Sequence, residues 1–203
     1  MALFSRKSST AVIDAPAPAV AHDSQVLDDI SGTYALDPSH SRIGFSARHA
    51  MVTKVRGQFD QFEGTAVIDT AVPANSSVTV TIKAASVTTG QEQRDAHLKT
   101  PDFFDVETYE NLTFTSTDVV RDGAEWSITG DLTINDVTRP VTVVFEETGS
   151  AKDPYGNVRV GFEGSTTINR ADWGLSFNAA LETGGVLVSE KIALEFDISA
   201  IAS

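Results

Sequence analysis

Cysteine is absent from the sequence, which excludes disulfides, thiolate metal centres and cysteine nucleophiles together, and leaves any fold to rest on packing alone. Long apolar runs are missing too. None approaches the roughly twenty residues that a membrane-spanning helix needs, so no integral membrane segment is read. Basic residues are scarce, 15 against 28 acidic ones, and the formal charge of -13 opposes a phosphate backbone, so nucleic acid is not an expected partner. The common catalytic signatures are also lacking: there is no glycine-rich phosphate loop, H-E-x-x-H, G-x-S-x-G or C-x-x-C. Near the N-terminus Arg6 and Lys7 are followed by Ala11, Val12 and Ile13, a run that Asp14 and Pro16 cut short. No cleavable export signal is recognised there, and a cytoplasmic location is expected.

What remains is a chain of 203 residues, 41% of them apolar, long enough for one β-sandwich or barrel with a real interior. Residues 1–31 are rich in Ala, Pro, Ser and Asp without a structural period and read as a mobile tail, with room for a short helix over residues 24–30. Residues 32–203 read as a single domain.

In that domain apolar and polar residues alternate with period 2, as a strand with one buried face demands. Val78, Val80 and Ile82 alternate with Thr79, Thr81 and Lys83; Val141, Val143 and Phe145 with Thr142, Val144 and Glu146. Leu194, Phe196 and Ile198 oppose Glu195, Asp197 and Ser199 in the clearest case. The same pattern runs through Ile43 and Phe45, through Trp126 to Ile134 and through Val158 to Ile168. With residues 33–36, 59–69 and 112–120 this makes eight or nine strands, separated by turns such as Asp122-Gly123, Pro154-Tyr155-Gly156-Asn157 and Gly184-Gly185. One short helix is expected over residues 91–99, because Thr89 and Glu92 have capping-box spacing and Pro101 follows. An all-β fold with one helix buries its dry faces in a sandwich or a closed antiparallel barrel, and a barrel of about eight strands either fills with side chains or holds one small ligand.

Few residues point to chemistry. His22, His40, His49 and His97 lie in different elements with no metal-ligand spacing. Arg94, Asp95 and His97, with Lys99 nearby, offer donors for a polar or anionic ligand head, or form an internally paired helix face. Phe103 and Phe104 read as a plug for one end of the fold. Asn169, Arg170, Asp172, Trp173 and Gly174 read as a tight corner in which the arginine pairs a carboxylate, either Asp172 or a ligand head.

Several segments carry a resemblance in order and spacing. They are Tyr34 to Phe45; His49, Met51, Val55, Gly57, Phe59 and Gly64; Ser86-Val87-Thr88-Thr89; Arg94-Asp95-Ala96-His97-Leu98; and Asp102-Phe103-Phe104-Asp105. The most specific are Gly130-Asp131-Leu132-Thr133-Ile134, leading to Val137-Thr138-Arg139-Pro140-Val141, and Ile168-Asn169-Arg170-Ala171-Asp172-Trp173-Gly174. From Tyr34 to about Ala200 the chain resembles the YceI-like family, lipocalin-like bacterial proteins described as binding polyisoprenoids. It departs from the family pattern at Tyr34, where a tryptophan is common, at Asn111, where a proline is frequent, and in lacking the family's usual export signal.

The resemblance implies a closed, lipocalin-like barrel of about eight antiparallel strands, a long apolar chain threaded through it, no catalytic machinery and a possible homodimer. It also carries a frequent periplasmic or secreted address, against the cytoplasmic reading above. The expected guest is a polyisoprenoid, an isoprenoid quinone or another long-chain lipid, with no other cofactor and no metal. Phe45, Met51, Phe59, Phe62, Phe104, Phe114, Leu132 and Trp173 are the candidate lining, with His49, Arg94, His97 and Arg170 as polar contacts. The same apolar residues are equally consistent with a solid core. Two other readings stay open: a hydrolase or isomerase using His97, Asp95 and Arg94 on the bound chain, and a protein-interaction module.

Overall fold

The computed structural model describes residues 29–50, 52–180 and 186–203. Its backbone runs through eleven strands: β1 (Gly32–Leu36), β2 (Arg42–His49), β3 (Thr53–Phe59), β4 (Phe62–Ile68), β5 (Ser77–Lys83), β6 (Val87–Thr88), β7 (Asn111–Asp122), β8 (Glu125–Ile134), β9 (Val137–Lys152), β10 (Val158–Asn169) and β11 (Val188–Ala202). All ladders are antiparallel, and pairing of β1 with β11 closes the sheet into a barrel. The pieces β1 and β2 lie end to end along β11, β3 and β4 lie end to end along them, and β5 and β6 continue the series. The architecture is therefore an up-and-down barrel of eight strands, three of which are broken.

The break between β1 and β2 shows how such an interruption is satisfied. Pro38 has no N–H to give a ladder, and Asp37 folds back to accept from the Ser39 amide at 3.0 Å. Ser41 then stands in for the missing backbone: its hydroxyl donates to the Ser199 carbonyl at 3.0 Å and accepts from the Ser199 amide at 2.9 Å. The partner strand β11 thus keeps its hydrogen bonds across the gap. Arg159 on β10 donates to Asp37 at 2.6 Å and to Asp153 at 3.0 Å, tying the break to the β9–β10 turn.

The period-2 reading of the strands holds, with local shifts at bulges between Ser116 and Asp118 and opposite Gly161 and Phe162. The stretch 59–69, read as one strand, is in fact the end of β3 and all of β4 with a gap at Asp60-Gln61. The helix, α1 (Glu92–Leu98), lies where it was expected, but its cap is different. Gln91 is the N-cap and accepts from the Arg94 amide, while Thr89 bonds to Asp95 instead of to Glu92. Asp29 and Ile30, assigned above to the tail, are packed onto the barrel: Ile30 is 2% exposed, and Asp29 accepts from Thr70 and Ser31. The rest of the expected tail, including residues 24–28 and His22, and the Gly184-Gly185 turn lie outside the described residues. Among the described residues no helix is long and apolar enough to cross a membrane.

Candidate functional site: an apolar cavity inside the barrel

Inward side chains form two packed plugs. At one end Ile30, Tyr34, Val119, Trp126, Val160 and Ala200 are buried together, and the Tyr34 hydroxyl donates to the Ile30 carbonyl at 2.9 Å. Trp126 is held by Glu147, which accepts from its indole N–H at 3.3 Å and from Arg121 at 3.1 Å, while the Arg121 guanidinium lies 4.8 Å from the indole centroid. At the other end Phe103, Trp173 and Leu175 are buried, and the Trp173 indole donates to the Leu132 carbonyl at 3.0 Å.

Between the plugs the barrel is hollow. A cavity of about 180 Å³ lies inside it, and among the described residues that line it only Gly44 and Ser76 are not apolar. Phe45, Phe114, Phe145, Leu194 and Phe196 point inward by their strand register, yet they are only half buried and line this space. A single water needs roughly 10–15 Å³ and two or more polar partners, so this space is large enough for water but chemically wrong for it.

The sequence-predicted residues divide into groups. Phe45, Phe59, Phe114 and Leu132 line the cavity. Phe62 and Trp173 are buried in the adjoining core, and Phe104 meets Phe59 edge to face with centroids 5.5 Å apart. Met51 lies outside the described residues. His49 is exposed at the end of β2, away from the lining. Arg94 donates through Nε to the Thr89 hydroxyl at 2.7 Å and through Nη2 to the Thr89 carbonyl at 3.1 Å. His97 approaches Asp102 at 2.8 Å and stands edge-on to Phe103 and Phe177.

Arg170 corrects the expected ion pair. Its side chain is 4% exposed, and it donates to the backbone carbonyls of Ser189 at 3.0 Å and Leu175, with no carboxylate at ion-pair distance among the described residues. It therefore braces the start of β11 and the turn after Trp173. Burial pulls its pKa down and Glu190 partly offsets this, although a guanidinium stays charged at any working pH. Asp95 is lowered because hydrogen bonds from Thr89 and Thr88 favour its charged form and outweigh the opposing cost of burial, the largest single influence. Arg94, Asp95 and His97 are each hydrogen-bonded to neighbouring residues of the chain, and none of them lines the cavity. Among the described residues there is no group of three His, Asp or Glu side chains placed to hold a metal ion.

The aromatic and branched wall residues on β5, β9 and β11 were missing from the predicted lining. Val80, Val143, Phe145, Phe196 and Ile198 all face the cavity. Their signal was the same alternation that located the strands, extended to every inward position instead of to selected aromatics.

Comparison with known proteins agrees with this architecture. The YceI-like domain pattern matches residues 34–200. A UPF0312 protein of Photorhabdus laumondii is 40% identical over 146 residues, covering 71% of this chain and 76% of its own. Protein YceI of Escherichia coli O157:H7 is 39% identical over 148 residues, covering 72% and 78%. Among solved structures, the YCEI protein of Campylobacter jejuni superposes with a TM-score of 0.67 at 29% identity, over 77% of this chain and 90% of that one. A polyisoprenoid binding domain from Saccharophagus degradans has a TM-score of 0.63 at 20% identity over 84% and 98%, a likeness of fold. With its eight-stranded closure and with the domain pattern matched over residues 34–200, the chain belongs to the YceI-like family.

Proposed function

We propose that this protein binds, stores or carries a long-chain apolar molecule in the barrel, of the polyisoprenoid, isoprenoid quinone or fatty-acyl kind, without altering it chemically. The observation that carries the reading is the void itself, about 180 Å³ and lined almost wholly by apolar side chains. An apolar cavity of about 150 Å³ is known to stay dry and to take up an apolar guest, because water there has no partners. Each methylene removed from water contributes about 0.8 kcal/mol, so a chain enclosed along its length binds firmly with few polar contacts. Membership of a family described as binding polyisoprenoids runs in the same direction.

Among the described strands the ladder is weakest beside α1, which makes that side the easiest place for the sheet to part. There β3 pairs with β6 only through Gln58 and Phe59, so among the described residues, 53–57 have β2 as their one strand neighbour. Parting β3 from the helix segment breaks fewer hydrogen bonds than parting any long hairpin of the barrel. The test is mass spectrometry of an organic extract of protein purified without detergent or denaturation. A long-chain lipid in near-stoichiometric amount is expected; an extract free of lipid, from protein that also fails to take up an added polyprenol, refutes the assignment.

A further inference from the structure

At the middle of the barrel three phenylalanine rings lie over glycines of the adjacent strand. Phe45 on β2 pairs with Gly57 on β3, and Phe145 on β9 pairs with Gly164 on β10. Phe114 on β7 lies over Gly130 on β8, two residues along the strand from its direct partner Leu132. In each case a Cβ on the glycine would fall within 3.0 Å of the ring, closer than real Cβ contacts come. None of these three glycines has the positive φ that would call for glycine on backbone grounds. In a strand interior glycine costs roughly 0.5–1 kcal/mol relative to alanine, so its presence at inward positions needs a reason.

The cavity supplies one. All three rings line it, and a ring that lies on a bare glycine is flat against the wall, where a side chain beneath it would tip it into the bore. Phe196 extends the same wall, since it also pairs with Gly164 and its ring centroid is 5.6 Å from that of Phe145. The void therefore exists because particular inward positions have no side chain. We infer that the phenylalanine–glycine pairs Phe45–Gly57, Phe114–Gly130 and Phe145–Gly164 set the width of the bore, so that it accepts a single extended hydrocarbon chain and rejects fused ring systems. The inference rests on the lipid-binding reading and names the part of the wall that decides which guest fits.

The test uses the full chain, stripped of lipid, with an all-trans polyprenol and cholesterol as probes. Binding is read from Trp126 emission, since that indole lines the cavity, and from native mass spectrometry. Gly57 and Gly164 are the useful sites, because the three nearest atoms to a new Cβ there all belong to a phenylalanine ring; at Gly130 a backbone carbonyl also intrudes. Gly164→Ala and Gly57→Ala each push a ring into the bore, and each is expected to weaken polyprenol binding by about tenfold or more while circular dichroism stays that of the parent protein. Gly164→Ala combined with Phe145→Leu is expected to recover binding, and Phe145→Ala alone to admit cholesterol. Folded Gly57→Ala and Gly164→Ala proteins with unchanged polyprenol affinity overturn the inference, as does a crystal structure of Gly164→Ala whose Phe145 ring has not moved and whose cavity is undiminished. A swung ring and a narrowed cavity, in a protein whose parent takes up neither probe, uphold the role of the pairs in shaping the bore and refute the lipid-binding reading.

Discussion

Asp37 is the clearest example of one side chain holding distant parts of the chain. It sits at the break between β1 and β2, and Arg159, His40 and the Ser39 amide all approach its carboxylate. The Arg159 hydrogen bond is the main reason its pKa lies well below the usual carboxylate range, with burial opposing. Asp153, the other partner of Arg159, is lowered to about 2, chiefly by the Asn157 side chain. A carboxylate depressed in the folded state contributes stability that is fully present above its unfolded pKa of about 4 and is lost as pH falls towards the folded value. Asp37→Asn is therefore expected to cost about 2 kcal/mol at neutral pH, because it leaves the half-buried Arg159 short of a charged acceptor. The variant should also lose less stability than the parent protein between neutral pH and pH 3. Urea melts at several pH values check both, and parallel stability curves for parent and variant would contradict the assignment.

At the scale of elements, the strands were legible because alternation reports which face of each is dry, and that needs no knowledge of the partner strand. The breaks were not. Residues 37–41 carry the Pro, Ser and Asp of a turn between hairpin strands, and nothing local says that β2 continues along β11 after β1 leaves it. The helix was found from its capping spacing and the following proline, but the cap was misassigned, since Asp95 takes the Thr89 hydroxyl from one turn away. The exterior carries a feature visible only once the register is known. Glu125, Glu146, Glu163 and Asp197 stand in one cross-strand row over β8 to β11, with like charges directly opposite. Such pairs destabilise, and exposed ones are screened by salt. Glu163→Lys is thus expected to raise stability by about 0.5–1 kcal/mol at low ionic strength, with the gain shrinking in molar salt. Thermal melts across a salt series decide it; a lower melting temperature for the variant at low salt would count against the row as a source of strain.

For the whole molecule, the open question left by the sequence was whether the inward row is a wall or a filling. Alternation cannot tell, because a packed core and a lined void use the same residue types at the same period. The discriminating signal was present but small: Gly57, Gly64, Gly130 and Gly164 all fall on inward positions, where a solid core would place larger side chains. Of the polar residues singled out as ligand contacts, Arg94 and Arg170 are engaged with the protein's own backbone and hydroxyls. That engagement depends on long-range neighbours that spacing cannot reveal. Apolar enclosure by the barrel wall is what would hold a guest, with the two end plugs limiting its length.

The most direct measurement is a crystal structure of the protein purified under native conditions, with the bore inspected between the Trp126 and Trp173 ends. Elongated density following the cavity, contacting Phe45, Phe114 and Phe145 and matched in mass by a lipid released from dissolved crystals, is the predicted result. An interior closed by its own side chains, with those three rings turned inward to meet at the axis, would contradict it.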